Sequence, residues 1–209
     1  RQHKPTESGY IAQKTQGIDS DYVLIFNSYS ESAPRCRSLV DSTVMDLIKL
    51  SPQTMTVTQN LNSGLLRDEK ALAQLRQQVD VSYHDKPRMI IYIGSTSWPF
   101  LHETIEKKWG KVPSIIFSDI DYTGPITNLL RKTPIAPALR IPYDKIVKEY
   151  EGALSVVYMP IYLRQSLALM HQLTPPMTEL CFISDTRWIS AQMRADMAAI
   201  TKTDFPELK

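Results

Sequence analysis

Met89-Ile90-Ile91-Tyr92-Ile93, running into Gly94-Ser95-Thr96-Ser97-Trp98, is the stretch that decides the fold. Five successive apolar residues suit a strand buried on both faces, as strands of a parallel sheet are. The small polar residues after them suit a loop that turns into a helix. The same order recurs three times. Val23-Leu24-Ile25-Phe26 leads into Asn27-Ser28-Tyr29-Ser30, Ser114-Ile115-Ile116-Phe117 into Ser118-Asp119-Ile120-Asp121-Tyr122, and Leu180-Cys181-Phe182-Ile183 into Ser184-Asp185-Thr186-Arg187-Trp188. In an open parallel sheet such loops gather at one edge, and ligands bind there.

Outward from these junctions, strands are predicted over residues 22–27, 54–61, 89–93, 112–117, 153–159 and 178–184. Residues 54–61 alternate, with Met55, Val57, Gln59 and Leu61 on one side, which marks a half-exposed or edge strand. Helices are predicted over 34–50, 67–81, about 100–109, 144–151, from Pro160 to the Thr174-Pro175-Pro176 stop, and over 187–201. Pro34 sits in a first turn, where its missing N–H costs nothing. Leu72, Leu75 and Val79 form the buried stripe of the 67–81 helix. Residues 119–142 carry Pro125, Pro134, Pro137 and Pro142 and read as a surface excursion near the functional edge. Strand and helix alternate throughout, which predicts an α/β fold with a doubly wound parallel sheet. Residues 1–21 are polar and aperiodic and read as a tail or linker.

Composition narrows the function. Of 209 residues, 43% are hydrophobic, which supports a true core. The 24 basic and 22 acidic residues nearly balance, which argues against a dedicated nucleic-acid binder. No run approaches the roughly 18 to 20 apolar residues that cross a bilayer. Cys36 and Cys181 make no disulfide framework. The seven glycines spell neither a dinucleotide fingerprint nor a P-loop, and the four dispersed histidines have no metal-ligand spacing. Ser95 and Ser97 lack the flanking glycines of a nucleophile elbow. The expectation is therefore a chain without catalytic residues, metal or cofactor.

The strand-end loops carry the candidate site. Tyr29, Trp98, Tyr122 and Trp188 each stand beside small hydroxyls or acids, an arrangement in which a ring provides burial and polar neighbours fix orientation. Each ring has a second reading, as a cap on the core. Asp119, Asp121 and Asp185 could contact a ligand or cap a following helix. Arg187 could clamp a carboxylate or phosphate, or pair with Asp185. Ser28, Ser95 and Thr96 complete the set. Rings with acids suggest a polar ligand with a flat face, sugar-like or nucleoside-like.

Three segments in order carry a resemblance: Leu24-Ile25-Phe26-Asn27-Ser28-Tyr29, Ile93-Gly94-Ser95 with Phe100-Leu101, and Val112-Pro113-Ser114-Ile115-Ile116-Phe117. The Leu173-to-Pro176 turn followed by Leu180-Cys181-Phe182-Ile183-Ser184-Asp185 continues it. Together they resemble the type I periplasmic-binding-protein fold, in the branch that includes ABC-transporter solute-binding proteins and extracytoplasmic sensor domains of two-component histidine kinases. The resemblance implies a Rossmann-like first lobe over 22–159 and a second lobe starting at 160–209 that stays incomplete. It also implies an incomplete sheet whose edges invite pairing between chains, hence a possible homodimer. A sensor would lie in the periplasm as part of an inner-membrane receptor and close its lobes around a small molecule. A free-standing solute-binding protein is the alternative, and a small α/β hydrolase or transferase the second.

Overall fold

The computed structural model describes residues 22–30, 33–174 and 177–208. The expected tail over 1–21 and the Pro175-Pro176 stop lie outside the described residues. Five strands form one sheet: β1 (Tyr22–Asn27), β2 (Met55–Asn60), β3 (Met89–Ile93), β4 (Ser114–Ser118) and β5 (Leu154–Tyr158). Their order is β2-β1-β3-β4-β5, and every neighbouring pair is parallel. The chain is thus an α/β protein with an all-parallel central sheet, compatible with a Rossmann-like fold, and the order in which strands are added reverses between β1 and β3. All six residues of β1 are buried, as its central position requires, whereas β2 at the edge buries only Val57 and Gln59.

Helices α1 (Pro34–Leu50), α2 (Glu69–Ser82) and α3 (Ser97–Trp109) connect the first four strands. Right-handed crossovers put α1 on one face of this sheet and α2 with α3 on the other. Helix α2 starts two residues later than its apolar stripe suggests because Asp68 is its cap, accepting from the Ala71 N–H at 2.8 Å. Helix α3 starts earlier than expected, so that Trp98 and Pro99 fall inside its first turn. Pro99 needs no donor there, and the free N–H groups of Thr96 and Ser97 meet the Ser28 hydroxyl.

The proline-broken excursion is more ordered than its composition suggests. Tyr122–Thr123 pairs antiparallel with Ile141–Pro142, closing a loop that holds α4 (Ile126–Arg131) and buries Leu129, Leu130 and Ile135. Helix α5 (Tyr143–Glu149) follows and leads to β5. After β5 come α6 (Leu163–Leu173) and α7 (Trp188–Asp204). Helix α7 packs on the excursion: Gln192 Oε1 accepts from the buried Ile135 N–H at 2.7 Å, and Trp188 Nε1 donates to the Thr133 carbonyl at 3.1 Å.

The expected sixth strand does not form. Residues 177–185 are irregular, and Ile183 is 90% exposed. Strand preference reflects packing on a neighbouring strand, and none of the five strands lies alongside this apolar run. Among the described residues, 160–208 contribute two helices and no second sheet. Cys36 is buried, Cys181 exposed, and both are free thiols. No helix among the described residues is long and apolar enough to cross a membrane.

Candidate functional site

The reversal between β1 and β3 opens a crevice at the carboxyl ends of the strands, the position where open α/β sheets bind ligands. Here its floor is filled by the protein's own groups. The Ser28 hydroxyl accepts from the Ser97 N–H at 2.9 Å and the Thr96 N–H at 3.3 Å, so a side chain from β1's loop caps a helix after β3. Thr96 Oγ1 donates to Ser63 Oγ at 2.9 Å, tying in the loop after β2. Gly94 makes this closeness possible. Its φ is +88°, and a Cβ there would stand 2.8 Å from Ser28 Oγ and 3.2 Å from the Tyr29 ring.

Above that floor lies a hollow of about 470 Å³, lined by residues from three loops and the start of α1: Tyr29, Arg35, Asn62, Leu65, Asp185 and Arg187 among them. Asp185 anchors the turn that precedes α7. Its Oδ1 accepts from the Arg187 N–H at 2.9 Å and from Ser190 Oγ at 2.7 Å, while Oδ2 takes Arg187 Nε at 2.6 Å. This holds the Arg187 guanidinium 4.7 Å from the centre of the Tyr29 ring, a cation–π stack. On the other side, Arg35 Nη2 lies 3.1 Å from Asp119 Oδ1 and donates to the Met159 carbonyl at 3.2 Å. The Arg35–Asp119 contact is an ion pair without hydrogen-bond alignment, so Asp119 Oδ1 has no hydrogen-bond partner. Two further buried groups nearby are unpartnered: the Tyr29 hydroxyl and Ser95 Oγ.

Burial sets the titration of these groups. It raises the Tyr29 phenol far above its ordinary range, with the Asp119 carboxylate adding to the shift. It also raises the Asp119 carboxyl, against the pull of Arg35 and Arg187. At Asp185 burial opposes ionisation, but the bonds from Ser190 and Arg187 outweigh it and hold the carboxyl below its usual value. The Cys36 thiol is pushed up to about 11, chiefly by burial, which keeps it in the unreactive protonated form at neutral pH.

The structure brings Tyr29, Asp185 and Arg187 to the hollow, joins Asp119 to it through Arg35, and puts Ser28 and Thr96 beneath it. Ser95 is buried in the same turn. The other four candidates stand elsewhere. Trp98 is buried against His102 and Tyr143 and lines a separate open groove of about 960 Å³ beside α3 and α5. Tyr122 is buried under Arg140, whose guanidinium is 4.4 Å from its ring centre. Asp121 is exposed, and its carbonyl accepts from the Tyr143 N–H. Trp188 serves α7 packing through its bond to Thr133. Trp98 and Trp188 fall in the first turns of α3 and α7, and Asp121 and Tyr122 open the excursion, so none of the four lines the hollow.

Sequence reasoning missed Arg35, Asn62 and Leu65. The signal was present, since β2 also ends in a polar loop, Asn62-Ser63-Gly64, at the same edge as the others. Asn62 takes a left-handed conformation, φ 48°, which asparagine tolerates better than most residues. Among the described residues no group of three or more potential metal ligands is gathered. The His102 ring bonds the Trp98 carbonyl and His171 pairs with Glu207, so neither addresses the serines of the crevice. The arrangement can hold a polar molecule between two guanidinium groups and buried hydroxyl and carboxylate oxygens. No protein-family model and no curated protein matches this chain.

Proposed function

We propose that this chain is a small-molecule-binding sensor domain of the type I periplasmic-binding-protein kind, the extracytoplasmic part of a membrane-bound two-component histidine kinase. Residues 22–159 are its first lobe and residues 160–209 begin its second. The carrying observation is the hollow where the loops after β1 and β2 meet Arg35 and Arg187, with an unpartnered Tyr29 hydroxyl buried beside it. Unpartnered buried polar groups are costly, and a ligand that bonds them recovers that cost. The unpaired apolar run 178–184 supports a second lobe, because such a segment is at home between other strands. Ligand closing the two lobes would shift a two-state equilibrium relayed to the kinase.

The test is a thermal-shift panel of sugars, sugar acids and nucleosides on the chain, followed by kinase autophosphorylation in membranes that hold the whole protein. Binding weakened by Arg187→Gln and a ligand-dependent change in autophosphorylation are expected. Binding with no kinase response in the parent would assign the domain to solute uptake instead. Ester or phosphate turnover lost in Ser95→Ala would replace the binding reading with an enzyme.

A further inference from the structure

The hollow has a chemical preference written into its walls. Arg35 and Arg187 both reach it, and each is held by contacts that use only part of its donor fork. The bond to Asp185 uses Nε of Arg187, and Arg35 bonds Met159 and faces Asp119 through Nη2 alone. Among the described residues their other guanidinium nitrogens have no partner, and such forks match the two oxygens of a carboxylate. A third cation stands at the rim, where Lys132 Nζ donates to the Gly64 carbonyl. Against these stand Asp119 and Asp185, so the rim favours an anion.

Charge alone would suit any anion, but the unpartnered oxygens ask for more. Tyr29 is 5% exposed and its hydroxyl has no hydrogen-bond partner, and Asp119 Oδ1, ion-paired with Arg35, has no hydrogen-bond partner either. Arg35, which lines the hollow with Tyr29, sets its Nη2 3.1 Å from Asp119 Oδ1 and so brings that carboxylate to the same wall. A phenol that can donate beside a carboxylate that can accept is a pair satisfied by an alcohol, which does both. Ala33, Pro34 and Leu65 complete the lining with apolar surface for a carbon skeleton. The Arg187 guanidinium covers the Tyr29 ring, so a carboxylate that draws it aside also uncovers the phenol.

We infer, on the binding role proposed above, that the ligand is a hydroxylated carboxylate of monosaccharide size, its carboxylate held by Arg35 and Arg187 and its hydroxyls by Tyr29 and Asp119. A hollow of about 470 Å³ is within the ordinary range for small-ligand sites.

The experiment is calorimetric titration of the full chain with D-galacturonate, D-glucuronate and D-gluconate, beside D-galactose, inosine, benzoate and sulfate. At least one sugar acid should bind about tenfold or more tightly than galactose, the ratio expected when a charge-assisted bond pair is lost. Arg187→Gln should abolish that preference. Tyr29→Phe, which keeps the ring under Arg187, should weaken the acid about three- to tenfold and leave benzoate unchanged. Far-UV circular dichroism and unliganded melting establish that both variants fold. Sulfate binding as well as the acids, with Tyr29→Phe silent, would overturn the inference as mere anion attraction. Galactose or inosine binding better than every acid, and weakened by Tyr29→Phe, would overturn it while leaving the binding role intact. No response to any compound would sink both.

Discussion

Tyr29→Phe isolates one oxygen atom. The Tyr29 ring is packed against Gly94, lies under the Arg187 guanidinium, and is 5% exposed, while its hydroxyl has no hydrogen-bond partner. A buried polar group left unsatisfied costs about 1–3 kcal/mol relative to water. Removing the oxygen keeps the ring's apolar contacts and its cation–π stack, so the empty protein should gain about 1–2 kcal/mol of stability. For a domain of this length that gain corresponds to a rise of about 2–8 °C in melting temperature. Urea unfolding followed by far-UV circular dichroism at pH 7 measures it, with an unchanged denaturant slope as the check that only stability moved. Most core substitutions destabilise, so a gain here would be a distinctive outcome. It would also carry the signature of a binding group, since the change that stabilises the free protein is expected to weaken ligand. A loss of more than about 0.5 kcal/mol would refute the reasoning, because it would mean the hydroxyl already has a partner worth keeping.

Gly94→Ala forces a left-handed backbone onto a residue with a Cβ and drives that atom to 2.8 Å from Ser28 Oγ. A loss of about 2–4 kcal/mol is expected in the same unfolding assay, and a loss below 1 kcal/mol would show that the turn relaxes. Gln192→Leu keeps apolar volume but strips the buried Ile135 N–H of its acceptor. It should cost about 1–3 kcal/mol and loosen the 119–142 excursion to amide exchange, whereas unchanged protection at Ile135 would deny that α7 holds it. Asp119 governs a pH effect. Its carboxyl is raised above the ordinary 3.8 chiefly by burial, so the folded state binds the proton more tightly than the unfolded state. Stability from this group is therefore fully present below 3.8 and falls as pH rises through the higher folded value. Asp119→Asn should flatten that part of the stability profile, and an unaltered slope in the variant would assign it to another group.

The parallel sheet was legible because its strands β1 and β3 are buried on both faces. Such strands must be continuous apolar runs, and Val23 to Phe26, Met89 to Ile93 and Ile115 to Phe117 are runs of that kind. The sixth run, Leu180 to Ile183, has the same local character and forms no strand. Composition reports readiness to pair, while pairing needs a neighbour that composition does not record. The aromatic candidates divide for a related reason. Tyr29 and Trp188 occupy similar positions after apolar runs, but Tyr29 precedes a loop that stays at the sheet edge, whereas Trp188 is the first residue of α7 and turns onto the excursion.

The order of apolar runs and helical stripes alone dictated an α/β chain with parallel strands and polar loops at one edge, because period and burial are local properties of neighbouring residues. Tertiary structure alone decided that Ser28 spends its hydroxyl capping α3, that Arg35 and Arg187 flank Tyr29, and that Asp119 lies buried beside Arg35. Those pairings join residues far apart in the chain. Their geometry follows from how the helices seat on the sheet, which no local pattern encodes.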